Sequence, residues 1–152
     1  MKILSIETTT NFGSIAFLED DLIKKEVFFE SDDIASHIIE KLNIIDENFD
    51  YIVVSVGPGS WTGIRIGISF AKGLVCGDIN KIYCVSIFDS FFYSIKDTEI
   101  KSLCIVFSKK EEFYYSKFKG KFNYKKGFKI SKISIKQLIS LIKTDEYFLI
   151  GP

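Results

Sequence analysis

Arginine is nearly absent from this 152-residue chain, where Arg65 stands alone against nineteen lysines. Since Lys serves wherever a plain positive charge is enough, a single Arg marks a contact that wants a planar fork of donors. Tryptophan occurs once, at Trp61, and proline only at Pro58 and Pro152. His37 is the one histidine, which excludes a two-histidine metal site and leaves no partner set for a Ser/His/Asp or Cys/His catalytic arrangement. A lone helical histidine is read as structural. The three cysteines, Cys76, Cys84 and Cys104, are odd in number, widely spaced and set in apolar segments. They are expected to be reduced core residues of a cytoplasmic protein rather than a disulfide or metal framework. No run of eighteen apolar residues occurs and the N-terminus already reads as a strand, so neither a transmembrane helix nor a signal peptide is expected. Fixed-period repeats and low-complexity linkers are also missing.

Apolar side chains are plentiful. They make up 47% of the chain, fifteen of them phenylalanine, enough to bury the core of one domain or of two small lobes. The zero net charge hides an asymmetry. Residues 1–99 hold sixteen acids and eight bases, whereas residues 100–152 hold four acids and twelve lysines. We take residues 1–99 as a first lobe and 100–152 as a reduced, lysine-rich second one. A basic half can meet nucleic acid, complement the acidic half, or be a solvated surface, and the last is the default.

Residues 2–7, 14–18 and 22–29 read as three antiparallel strands, with a hydroxyl-rich hairpin, Thr8-Thr9-Thr10-Asn11-Phe12-Gly13, between the first two. Glu7 with Thr8, Thr9 and Thr10 is a candidate phosphate or nucleotide site, the hydroxyls facing phosphate oxygens and Glu7 a hydrated metal. Ser31 or Asp32 starts a helix to Leu42, with Ile34, Ile38 and Leu42 as its apolar line. Later come a strand at 81–86, a helix at 87–95, strands at 103–107 and 112–118, and a lysine-rich segment punctuated by Gly120 and Gly127. An amphipathic helix at 134–143 and a strand at 147–150 close the chain. The pattern is α/β, a mixed sheet flanked by helices.

The central stretch runs from Ser55 to Arg65. A β-branched strand at 51–56 meets Gly57-Pro58-Gly59, which turns the chain into a helix over 61–75 capped by Ser60 or Thr62. No Gly-Lys-Ser/Thr follows, so it is not a Walker A loop. The helix is apolar on two sides, with Ile64, Ile68, Ala71 and Val75 on one stripe and Ile66, Phe70 and Leu74 on another. Gly63, Gly67 and Ala71 form a small-residue track open to a close backbone. One face is expected to meet its own sheet and the other a partner.

Four passages together resemble the TsaB (YeaZ) family, a subunit of the bacterial machinery that makes threonylcarbamoyladenosine in tRNA. They are the opening Ile3-Leu4-Ser5-Ile6-Glu7-Thr8-Thr9-Thr10, Ser36-His37, Gly57 to Leu74, and Glu112-Phe113-Tyr114-Tyr115. The resemblance implies an actin/Hsp70/sugar-kinase (ASKHA) fold. It also implies a non-catalytic relative of the TsaD-like subunit that transfers the threonylcarbamoyl group, paired with that subunit through first-lobe helices. A TsaE-like ATPase joins them, and tRNA is reached indirectly. The catalytic relative holds its metal through two histidines on the first helix, so no catalytic residue and no metal ligand is expected here. Partner binding is assigned to Ile34, Ile38, Trp61, Gly63, Arg65, Ile66, Gly67, Phe70, Ala71 and Leu74, and shaping of the loop to Gly57, Pro58, Gly59, Ser60 and Thr62. Family members run further beyond Gly151, so a complete interlobe cleft for ATP or ADP is not expected. The alternatives are a small stand-alone ATPase or phosphotransferase of the same fold, and a homodimeric interaction module.

Overall fold

The computed structural model describes all residues except 31–33, 46–47, 96–100 and 119–128, together with the side chains of residues 44 and 45. It divides into two compact units, Met1–Ser86 and Ile87–Pro152. The sequence had suggested a boundary at 99/100. Compaction instead places the helix at 87–95 with the second unit, because Phe88 and Phe92 are fully buried in a cluster with Cys104 and Val106.

In the first unit, β1 (Lys2–Glu7), β2 (Phe12–Glu19) and β3 (Leu22–Glu30) form an antiparallel meander. The strands β4 (Tyr51–Ser55) and β5 (Ile82–Val85) then run parallel to β1, giving the order β3-β2-β1-β4-β5. Alternation along each strand sends Leu4, Ile6, Ile15, Phe17, Ile52 and Val54 to one buried face. Two helices, α1 (Ile34–Ile45) and α2 (Trp61–Leu74), cover that face with Ile38, Ala71 and Val75. The expected caps of α1, Ser31 and Asp32, lie outside the described residues. Ser60 caps α2, its hydroxyl accepting the Gly63 amide, so the choice between Ser60 and Thr62 resolves to Ser60.

The second unit holds α3 (Ile87–Ile95), β6 (Ser102–Lys109), β7 (Glu112–Phe118), β8 (Ser131–Ser134), α4 (Ile135–Thr144) and β9 (Phe148–Ile150), with strand order β8-β7-β6-β9. Residues of β6 alternate between two clusters. Leu103 joins Leu138 of α4, and Cys104 and Val106 join α3. A capping box between Ser134 and Gln137 begins α4. Gly120 and Gly127 lie outside the described residues.

Two expectations about single residues change. Cys76 and Cys84 are exposed rather than in the core; Cys84 lies on β5 at the edge of its sheet, and Cys76 follows α2. Cys104 alone is buried, and burial pushes its thiol up to about 12. Ser55, at the end of β4, is buried with its hydroxyl unpaired among the described residues. A buried hydroxyl without a partner costs about 1–3 kcal/mol. Ser55→Ala is therefore expected to leave stability unchanged or to raise it by up to about 1 kcal/mol, read from the urea midpoint.

Candidate docking site on the first unit

The helix pair α1 and α2 leaves a groove of about 480 Å³ on the first unit. Its floor is made by Ile38 and Phe70, which also pack into the core, and its walls by Ala35, Ile39, Thr62, Arg65, Ile66 and Ser69. Trp61, in the first turn of α2, is 73% exposed, and Ile39 on α1 is 58% exposed. Large apolar side chains left in water beside an apolar groove are what a protein interface consumes. Arg65 is exposed at the groove wall, with no hydrogen bond or ion pair among the described residues.

The ten residues assigned to partner binding do not share one environment. Trp61, Arg65 and Ile66 reach the surface, while Ile34 and Leu74 pack against the core and Ile38 and Phe70 serve as core and groove floor at once. Gly63, Gly67 and Ala71 are buried, which corrects the reading of their track as a docking surface. The backbone that comes close belongs to the same chain. A Cβ on Gly63 would strike the Thr8 carbonyl oxygen, and one on Gly67 would strike the Thr8 hydroxyl. A helix turns about 100° per residue, so Gly63 and Gly67 face the sheet while Thr62 and Ile66 face out. Ile39 escaped the sequence reading because it follows Ile38; its signal is one apolar residue too many beside the core line.

The hydroxyl-rich hairpin also turns inward. Thr8 and Thr9 are 0% and 1% exposed. The Thr8 hydroxyl donates to the Gly63 carbonyl at 2.8 Å, and the Thr9 hydroxyl donates to Glu7 Oε1 at 2.6 Å. The Thr9 amide donates to the same carboxylate oxygen, and Thr10 Oγ1 donates to the Phe12 carbonyl. These four residues were the candidate phosphate site, yet their hydroxyls are engaged within the chain. Among the described residues no group of three His, Cys, Asp or Glu side chains is placed to hold a metal.

The loop-shaping residues sit at the mouth of α2. Gly57 has φ +85°, a left-handed conformation that costs a side chain, and Gly57-Pro58 is cis. Ser86 Oγ donates to the Gly57 carbonyl at 2.9 Å, and a Cβ on Gly59 would strike the Thr9 carbonyl. In the second unit three of the lysines have an acidic or aromatic partner. Lys101 pairs with Asp145, whose carboxyl is held below its ordinary value chiefly by that contact. Lys101 and Lys117 lie over the Tyr147 ring and Lys132 over Tyr114.

Comparison with known proteins adds four findings. The family model described as TsaD, tRNA N6-adenosine threonylcarbamoyltransferase, matches residues 32–139. The tRNA threonylcarbamoyladenosine biosynthesis protein TsaB of Bacillus subtilis (strain 168) is 32% identical over 82 residues, 49% of this chain and 36% of that protein. YeaZ from Pseudomonas aeruginosa superposes with TM-score 0.63 at 17% identity, over 88% of this chain and 66% of that one. A Bacteroides thetaiotaomicron protein with actin-like ATPase fold and unknown function superposes with TM-score 0.58 at 9% identity, over 99% of this chain and 82% of that one. The fold is thus actin-like, with a small second unit. The chain spans about a third of the curated relative and just under two thirds of YeaZ.

Proposed function

The chain belongs to the TsaD family, on its TsaB/YeaZ side, and from that premise we propose that it works in tRNA threonylcarbamoyladenosine biosynthesis as a non-catalytic partner subunit. Its binding partner in this reading is the TsaD-like subunit that transfers the threonylcarbamoyl group to the adenosine beside the anticodon. A TsaE-like ATPase completes the assembly, tRNA is reached through the complex, and the setting is the cytoplasm. The observation that carries the reading is the groove between α1 and α2, lined by the exposed Ile39, the half-buried Ile66 and Arg65, with the exposed Trp61 in the first turn of α2. Apolar anchors beside a guanidinium without a partner among the described residues suit a helix that brings an apolar face and a carboxylate. The inward-turned hydroxyls of Thr8 and Thr9 weigh against the stand-alone ATPase reading.

Light scattering after size exclusion tests it, with the chain mixed with the catalytic transfer subunit of its own organism. A one-to-one complex is expected. Arg65→Lys is expected to weaken it roughly tenfold, since a point charge cannot reproduce a two-pronged contact with a carboxylate. A self-paired chain that ignores the catalytic subunit would support the homodimeric module instead, and nucleotide turnover by the chain alone would support the ATPase.

A further inference from the structure

Most of the hydroxyls that the sequence offered to a ligand are engaged at one internal joint. The loop between β1 and β2 grips the first turn of α2 on both sides of its cap. On one side the Ser60 amide donates to the Thr9 carbonyl at 2.6 Å. On the other, the Thr8 hydroxyl donates to the Gly63 carbonyl at 2.8 Å, in a fully buried setting. Two first-turn amides of α2 find their partners at its own cap. Ser60 Oγ accepts from Gly63 N, and the Ser60 carbonyl accepts from Ile64 N. The Thr8 bond is thus additional to the helix. It uses the spare lone pair of a carbonyl inside the first turn, which a continuing helix leaves free.

The glycines at 63 and 67 are the other half of the joint. Thr8 lies where their side chains would be, its carbonyl over Gly63 and its hydroxyl over Gly67. Thr9 is itself held, its amide and hydroxyl both donating to Glu7 Oε1 on the end of β1. A rigid path therefore runs from Glu7 through Thr9 and Thr8 to the turn that carries Trp61, Thr62 and Arg65.

We propose that Thr8 is a positioning residue for the docking face: its buried hydrogen bond to Gly63 sets the first turn of α2, and with it the placement of Trp61 and Arg65. Only the last arm of the test rests on the proposed partner function. Trp61 is the single tryptophan, so its fluorescence reports on this turn in the unmodified chain. Thr8→Val keeps the volume and removes the donor, and Thr8→Ser keeps the donor. If the Val variant does not fold, Thr8→Ala against Thr8→Ser repeats the comparison with smaller side chains. The expected result is that Val shifts Trp61 emission and speeds exchange of the Gly63 to Gly67 amides roughly tenfold, the scale of one buried hydrogen bond, while Ser restores both. Unfolding that falls evenly, with Trp61 and those amides unmoved, would make Thr8 a packing residue and overturn the proposal. In the last arm, Val is expected to weaken binding of the catalytic subunit by about fivefold to tenfold. A moved turn with unaltered affinity would uphold Thr8 as positioning α2 and count against the docking reading alone.

Discussion

Gly63→Ala is expected to destabilise the chain by about 2 kcal/mol, although alanine is the better helix former by about 1 kcal/mol. The two effects oppose each other, and their magnitudes decide the sign. An added Cβ at position 63 meets the carbonyl of Thr8, a backbone atom rather than the end of a flexible side chain, so the clash is not relieved by a rotamer change. Helix α2 must then lift from β1, loosening Ala71 and Val75 in the core and stretching the Thr8 to Gly63 hydrogen bond. Gly73, in the last turn of the same helix, supplies the control. Nothing lies within 4 Å of a Cβ placed there, so Gly73→Ala is expected to stabilise by about 0.5–1 kcal/mol through propensity alone. Urea unfolding of the two variants measures the contrast. Equal and positive changes would mean that the close approach of Thr8 is absent in solution. The same reasoning applies to Gly67→Leu. On the sequence alone it would spare the monomer and remove partner binding, but a large side chain against the Thr8 hydroxyl is now expected to disturb the fold itself.

Ile39→Asp is expected to cut affinity for the catalytic transfer subunit by about a hundredfold or more, the range of an interface anchor, with stability changed by no more than about 0.5 kcal/mol. Ile39 is chosen over the other groove residues because it is 58% exposed and absent from the core cluster, so its loss opens no cavity. Ile38, one residue earlier, is 1% exposed, and the same change there would unfold the chain before it said anything about binding. Titration calorimetry with the catalytic subunit reads the affinity, and urea unfolding reads the fold. Wild-type affinity in Ile39→Asp would remove the α1/α2 groove as the docking face and leave the exposed apolar side chains Ile23 and Phe28 on β3 as the other apolar surface of the first sheet.

Much of the fold was legible in the sequence, for local reasons. The period-two alternation of Leu4 and Ile6, the β-branched run before Gly57 and the hydroxyl cap at the start of α2 each depend on residues a few positions apart. The division between units was less legible. Phe88 and Phe92 read equally well as closing the first lobe or opening the second, because an apolar helix face does not name the sheet it will meet.

The order and type of the elements apart from β8, the single Arg and Trp beside the glycine loop, and the single histidine were determined by the sequence alone. Which side of α2 faces inward was decided only by tertiary structure. Its two apolar stripes and its glycine track gave equivalent patterns along the chain. The choice fell to a residue more than fifty positions away, since Thr8 fits only where Gly63 and Gly67 leave room and offer a carbonyl. Once Thr8 occupied that slot, the small-residue track was spent on the protein's own sheet. Trp61, Arg65 and Ile66 were left to face outward.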